Sequence, residues 1–122
     1  MRVYVACPLT LYAPDHAYRR LLARVRRLFP GAEIVSPREM FTNTRDWLQR
    51  WPTLLSTLDA LVVIPDGDRV GLGVLREVTD ALFVGIPIYV YQGSFQPLDA
   101  FCFSLDVDTE PSRAVILKGE KE

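Results

Sequence analysis

Glu77 is the residue whose type and position in this 122-residue chain best suit it for chemistry. It follows an apolar run, residues 60–64, and a glycine-containing loop with the sequence PDGDRVGLG. A helical pattern begins after that loop and puts Glu77 beside its apolar column, not on its polar side. A carboxylate at the start of a helix gains from the helix dipole and stays ionised, and an adjacent apolar face limits its hydration. We therefore predict that Glu77 is an ionised nucleophile; the simpler alternative is an acid that only complements the dipole.

The three glycines of that loop, Gly67, Gly71 and Gly73, suggest a second kind of chemistry. Glycine lets the backbone approach an anion, and a helix N-terminus favours negative charge, so the loop could hold a phosphate. The known fingerprints do not fit, because the third glycine of the dinucleotide motif is missing from its expected position and no lysine follows as in a P-loop. A purely structural turn is the competing interpretation.

Metal and thiol chemistry find little support in the sequence. The chain has two cysteines, Cys7 and Cys102, and one histidine, His16, and they lie far apart. A zinc site needs a cluster of such residues, and a Cys-His nucleophile needs a matched pair. We therefore expect no metal, no cofactor and free thiols.

A scaffold for Glu77 is predicted by the alternation of strand-like and helical patterns between residues 2 and 91. A helix between two such strands favours parallel pairing through a right-handed crossover. We predict an α/β fold, a flavodoxin- or Rossmann-like three-layer sandwich with four or five parallel strands in the order 2-1-3-4-5, as a single domain over residues 1–122. Open sheets of this kind bind ligands at the carboxyl ends of their strands, where the loop and Glu77 would lie.

The boundaries of these elements follow from the apolar periods and the turn residues. Thr44 is the predicted cap of a helix that Pro52 should kink or divide. Residues 92–97 are predicted as a loop. The predicted strands are residues 2–6, 32–35, 60–64, 86–91 and 114–117, and the first predicted helix is residues 15–29.

Composition and charge narrow the possible partners. The chain is 49% hydrophobic and 24% charged with a net charge of −1, which is ordinary for a globular domain. No apolar run approaches the roughly 20 residues that span a bilayer, and the first residues do not resemble a signal peptide, so we expect a cytoplasmic protein without a membrane partner. Five arginines between residues 19 and 27 lie on the polar side of one predicted helix. Nucleic-acid binding requires a broader footprint, so we expect a solvated helix face and no nucleic-acid partner.

Residues 64–90 resemble the core motif of the nucleoside 2-deoxyribosyltransferase superfamily. In that motif an aspartate-bearing loop and a V-G-L-G-like turn lead into a helix with a glutamate, an alanine four residues later and a glycine eight residues later. Glu77, Ala81 and Gly85 keep this frame. The related 2′-deoxynucleoside 5′-phosphate N-hydrolases are similar in the L-G-V-x-x-E spacing that runs from Leu72 to Glu77.

This resemblance implies a reaction and a set of site residues. Tyr4 and Asp59 match a tyrosine of the superfamily's first strand and an aspartate that opens its third, so the resemblance extends over residues 2–91. It implies that Glu77 attacks the anomeric carbon of a 2-deoxyribosyl group, that Tyr4 positions or polarises Glu77, and that the sugar passes to another base or to water. The implied substrate is a small nucleoside or nucleotide. The residue implied to handle the base is Asp68 or Asp66, and the implied substrate-binding residues are Cys7, Pro8, Leu9, Asp66, Arg69, Gly71 and Gly73.

Two residues depart from the superfamily pattern. Arg69 replaces the acid that directly precedes the V-G-L-G-like turn, and Trp51 stands where an acid is expected eight residues before Asp59. A nucleotide-type ligand-binding module without turnover is therefore the alternative function. A third possibility is an interaction protein that uses Trp47, Trp51 and the apolar residues 98–105.

The two tryptophans also bear on core packing and assembly. Their spacing of four residues places them on one helix face with leucines nearby, which favours a core position. The same apolar features predict a homo-oligomer, a dimer or a larger even-numbered assembly. The resemblance implies that a neighbouring subunit completes each site, and Asp106, Asp108 and Glu110 are the candidate residues for that role.

Overall fold

A five-stranded, mostly parallel sheet organises the protein in a computed structural model that describes residues 1–97, 101–106 and 113–118. Its strands are β1 (Arg2–Ala6), β2 (Glu33–Val35), β3 (Ala60–Val63), β4 (Ile88–Tyr91) and β5 (Phe95–Pro97). The helices of the described residues are α1 (Asp15–Leu28), α2 (Pro37–Met40), α3 (Thr44–Leu55) and α4 (Gly71–Val84), with a 3₁₀ turn at Leu9–Leu11. A separate two-stranded sheet consists of β6 (Phe101–Asp106) and β7 (Arg113–Lys118).

The strand order of the main sheet is β2-β1-β3-β4-β5, so the predicted order is confirmed. Strand β1 pairs in parallel with β2 and β3, and β3 pairs in parallel with β4. The prediction of parallel pairing throughout is wrong at the fifth strand, which pairs antiparallel with β4. Only residues 92–94 connect these two strands, whereas a parallel return needs about a dozen residues.

Two of the predicted segments after residue 91 also differ from the structure. The prediction of a loop over residues 92–97 is wrong at its end, because Gly93, with a φ of 75°, allows a tight reversal that brings Phe95 opposite Tyr91. Residues 114–117, the predicted last strand, belong to β7 and pair with β6 outside the main sheet. The apolar pattern therefore locates a strand there without indicating its partner.

Alternate residues of the central strands face two separate apolar layers. Tyr4 and Leu61 pack on one side of the sheet, with side chains of α3 and α4. Val3 and Val62 pack on the other side, with side chains of α1. Every residue of β3 is buried, as expected for a strand covered on both faces, and the result is a helix-sheet-helix sandwich.

Helix α3 differs in detail from its prediction. The cap is Asn43, whose side chain accepts the backbone N–H of Asp46 at 2.8 Å, and Thr44 is the first helical residue. Pro52 lies inside the helix, which continues to Leu55 and is not divided. In the part of the chain that the structure describes, every helix is too short or too polar to cross a bilayer.

Candidate active site

A cavity of about 740 Å³ opens at the carboxyl ends of β1, β2 and β3. This is the edge at which open α/β sheets bind ligands. Its walls come from the segments that follow these three strands and from the first turns of α4. The sequence-predicted residues that line it are Cys7, Pro8, Leu9, Asp66, Arg69, Gly71, Gly73 and Glu77.

Glu77 lies in the second turn of α4, not at its start. The helix begins at Gly71, and its first turn contains no acidic residue. The last three residues of the predicted loop, 71–73, belong to the helix. The chain turns into the helix after Val70, and Gly71 makes that turn with a φ of 75°. The dipole argument for an ionised Glu77 is therefore wrong, because the dipole acts mainly within the first turn.

The carboxyl group of Glu77 is held at one oxygen and open at the other. The Tyr4 hydroxyl donates a hydrogen bond to Oε2, and the Trp47 indole N–H donates to the same oxygen at 3.2 Å. Oε1 receives no hydrogen bond from the described residues, and Glu77 lines the cavity although its side chain is only 5% exposed. One carboxyl oxygen is thus available to a ligand.

Burial raises the pKa of Glu77 from 4.5 to about 8. The hydrogen bonds from Tyr4 and Trp47 favour the charged form and lower this pKa, whereas the nearby charge of Asp80 raises it further. Desolvation is the largest of these effects. The prediction that Glu77 is ionised is therefore wrong for the protein at neutral pH, where the carboxyl group is mostly protonated.

Tyr4 is fully buried, does not line the cavity, and contacts Glu77, the residue with which the resemblance associates it. Its ring packs against Trp51 at 4.9 Å between centroids, and its hydroxyl points to Glu77. Burial, followed by the charge of Glu77, raises the pKa of Tyr4 far above its ordinary value. Tyr4 therefore remains a hydrogen-bond donor over the whole range of working pH.

The acidic loop brings Asp66 to the cavity and leaves Asp68 outside it. Asp66 and Arg69 exchange two backbone hydrogen bonds, of 2.8 and 3.0 Å, so Asp68 lies at the exposed tip of a tight turn. Asp66 lines the cavity and accepts a hydrogen bond from the Thr10 hydroxyl at 2.7 Å. The choice of Asp68 as the catalytic acid is therefore corrected, because the turn makes Asp66 the better placed of the two.

Two other residues that the sequence singles out, Asp59 and Cys7, lie in positions that do not favour catalysis. Asp59 accepts the backbone N–H of Arg2 at 2.7 Å, at the edge of the sheet opposite the cavity. Cys7 lines the cavity as a buried free thiol, and burial raises its pKa to about 12, so it stays protonated. Neither residue is placed to start a reaction.

The wall of the cavity between β2 and α3 is not predicted from the sequence. Helix α2 is not predicted, and the cavity residues of this wall include Arg38, Phe41 and Trp47. Arg38 binds Asp15 and lies over the Tyr18 ring at 4.8 Å. Of the residues in this wall, Trp47 is the one that a sequence pattern identifies, and its helical spacing predicts a core position.

Trp51 does occupy the core, which removes it from any surface for partners. It is 1% exposed, and its indole N–H donates to Asp80 at 2.9 Å. The interaction-protein hypothesis therefore loses one of its two tryptophans, and the other faces the cavity. The homo-oligomer stays a prediction. Asp108 and Glu110 lie outside the described residues, as do residues 98–100 of the apolar segment.

Metal binding has no framework in the described residues, which contain no group of three His, Cys, Asp or Glu side chains that could hold an ion. The polar and aromatic residues around the cavity instead supply two carboxyl groups, two guanidinium groups, several hydroxyl groups and aromatic rings. Such a lining suits a polar organic ligand with an apolar ring.

Comparisons with known proteins support the fold. Models of known protein families give no match to the chain, and curated proteins give none either. Among solved structures, the chain is similar to the crystal structure of a conserved protein from Enterococcus faecalis V583, with a TM-score of 0.60 and 22% sequence identity. The match covers 74% of this chain and 62% of that one. A likeness at this identity shows a shared fold, so function has to be argued from the site.

Proposed function

We propose that this protein cleaves the N-glycosidic bond of a 2-deoxyribonucleoside or its 5′-phosphate and passes the deoxyribosyl group to another base or to water. The observation that carries the proposal is the arrangement of hydrogen bonds and cavity around the carboxyl group of Glu77. Two donors hold Oε2, Oε1 accepts no hydrogen bond from the described residues, and Glu77 lines a cavity of about 740 Å³, which is large enough for a nucleotide. The resemblance of residues 64–90 to the deoxyribosyltransferase motif supplies the reaction class.

In the first step Oε1 of ionised Glu77 attacks the anomeric carbon while the carbon–nitrogen bond breaks. The bonding electron pair leaves with the base, which takes a proton from Asp66 or from water. In the second step water or another base attacks the same carbon, the bond from that carbon to Oε1 breaks, and the proton of the attacking molecule passes to the carboxylate of Asp66 or to bulk water. The transition states carry oxocarbenium character, which a fixed carboxylate stabilises. A pKa of about 8 leaves roughly one-tenth of Glu77 ionised at neutral pH, so the rate should rise as pH rises toward that value.

The raised pKa also favours a second candidate, a nucleotide-binding module without turnover. A protonated Glu77 donates a hydrogen bond through Oε1 and does not attack carbon. This candidate predicts tight binding of a nucleoside or nucleotide and no release of base.

Incubation with a panel of deoxynucleosides and deoxynucleotides, followed by chromatography of the free base, separates the two candidates. Glu77→Gln should abolish base release and change ligand affinity by less than about tenfold, or roughly 1.4 kcal/mol. Glu33→Gln is the matched control, because Glu33 is an exposed carboxylate at the start of β2, the end of that strand away from the cavity, and it pairs with Arg2 at 2.9 Å. Undiminished release by Glu77→Gln removes Glu77 from the role of nucleophile, and binding without release by the wild type favours the module.

A further inference from the structure

Trp47 is both a wall of the cavity and a hydrogen-bond donor to Glu77. Its indole N–H reaches Oε2 at 3.2 Å. The Arg76 guanidinium lies over its ring at 5.8 Å, and a side-chain carbon at Gly73 would stand 4.0 Å from its Cη2 atom. The ring is therefore bounded on two sides by α4, the helix that carries Glu77.

The two donors to Glu77 reach the same oxygen from different parts of the fold. Tyr4 comes from β1 and Trp47 from α3, and both donate to Oε2. A carboxyl group fixed at one oxygen by two donors from separate elements is held against rotation about its last bond. The orientation of Oε1 toward the cavity is thus set by the pair and not by Tyr4 alone.

We propose that Trp47 is a positioning residue, which together with Tyr4 holds Oε2 of Glu77 and so presents Oε1 to the anomeric carbon. The identity of the reaction rests on the proposed function, whereas the hydrogen bond can be tested without it. The sequence predicts Trp47 as a core residue, and the resemblance assigns the positioning of Glu77 to Tyr4.

The electrostatic surroundings of Glu77 give this role a measurable consequence. The titratable groups coupled electrostatically to Glu77 are Tyr4, Cys7 and Tyr12, whose pKa values its charge raises, and Asp80 from α4, whose charge raises the pKa of Glu77. Burial raises the pKa of Glu77, and the indole N–H opposes that effect because it favours the charged form. Removal of this donor should therefore raise the pKa further.

An NMR titration of the indole N–H groups tests the hydrogen bond in the wild type. The chain has two tryptophans, so two indole signals are expected. The Trp47 signal should move with the titration of Glu77 and lose that movement in Glu77→Gln. The Trp51 signal is the internal comparison: its N–H donates to Asp80 at 2.9 Å, and Asp80 acts on Glu77 only through its charge, so the Trp51 signal should move less than the Trp47 signal. If neither signal follows Glu77, or if the movement persists in Glu77→Gln, the inference is overturned.

Turnover of Trp47→Phe then tests positioning. Phenylalanine removes the donor and keeps a smaller aromatic wall. We expect kcat/KM at neutral pH to fall about tenfold and the acidic limb of its pH profile to move up by about one pH unit. Loss of packing alone would lower the rate equally at every pH. Trp51→Phe makes the same chemical change one turn later in α3, where the lost donor serves Asp80 and not Glu77, so it should move the limb less than Trp47→Phe does.

The outcomes separate this inference from the proposed function. Wild-type protein without base release contradicts the proposed function, and the indole titration still decides whether Trp47 holds Glu77. Wild-type turnover with an unchanged rate and pH profile in Trp47→Phe overturns the positioning role and leaves the function standing. If Trp47→Phe does not fold, the titration of the wild type and of Glu77→Gln decides whether the hydrogen bond exists.

Discussion

Glu77→Gln should stabilise the protein at alkaline pH although it removes the proposed nucleophile. Burial raises the pKa of Glu77 from 4.5 to about 8, so the folded state binds this proton more tightly than the unfolded chain does. Between these two values the folded state holds the proton and the unfolded state has lost it. The free energy of unfolding therefore falls as pH rises. The contribution is fully present below pH 4.5 and is lost as pH rises through about 8.

The size of the effect follows from the same two values. A pKa difference between 4.5 and about 8 corresponds to at most about 5 kcal/mol, lost at up to about 1.4 kcal/mol per pH unit. The amide of Gln keeps an oxygen to accept from Tyr4 and Trp47, and its NH₂ group takes the open position at the cavity. The variant should thus match the wild type in acid and exceed it in stability by several kcal/mol in alkali.

Urea unfolding of both proteins at a series of pH values measures this difference directly. Groups that titrate alike in the two proteins, such as Asp15 and Asp46, cancel when the curves are subtracted. Glu33→Gln controls for the loss of a carboxylate: Glu33 is 63% exposed and pairs with Arg2 at 2.9 Å, a surface contact worth at most about 1 kcal/mol, so the large alkaline gain expected of Glu77→Gln should be absent from this variant. Parallel curves for Glu77→Gln would refute the raised pKa. A variant less stable at every pH would show that the carboxylate is a structural partner of its two donors.

Other substitutions probe the loop and the donors. Gly71→Ala should destabilise by about 1–2 kcal/mol in thermal unfolding, because the φ of Gly71 is 75°. Gly73→Ala should stabilise by about 0.5–1 kcal/mol, because Gly73 lies within α4 without a positive φ and its added carbon would meet Trp47 at 4.0 Å, an ordinary contact. Tyr4→Phe should move the acidic limb of kcat/KM up by about one pH unit or more, since the lost donor favours ionised Glu77. Asp66→Asn should slow base release while Asp68→Asn changes it by less than about twofold; the reverse ranking in the chromatographic assay would return the role to Asp68.

Local patterns predict the parts of the fold that depend on local burial. Residues 60–63 form β3 because four consecutive buried residues fit a strand covered on both faces, and the sequence shows that run directly. Strand β5 cannot be predicted in this way, since three residues carry no period and acquire their pairing from the free edge of β4. The predicted start of α4 is too late because Gly71 and Gly73 have low helix propensity, which the neighbouring packing overrides.

The site is harder to predict because its chemistry depends on distant residues. Tyr4 is 73 residues from Glu77 and Trp47 is 30 residues away, so neither bond is visible in a local pattern. The resemblance indicates Tyr4 as a partner of Glu77, but no sequence feature indicates Trp47 in that role, because its helical period predicts a buried face and does not say which residue lies opposite. The predicted charge state of Glu77 is wrong for the same reason, since burial by long-range packing outweighs the helix dipole.

A buried carboxyl group at position 77 is unfavourable for folding wherever it must ionise. A neutral side chain of similar size would avoid the desolvation of a charge. Tyr4 and Trp47 offset part of that penalty, but burial outweighs both donors and the pKa of Glu77 stays raised. The remaining destabilisation is accounted for if Oε1 acts on a ligand, because groups that act on ligands are commonly retained at a loss of stability. Stability gained and turnover lost in the same Glu77→Gln variant would connect the two properties, whereas stability gained with turnover retained would show that the carboxylate takes no part in the reaction.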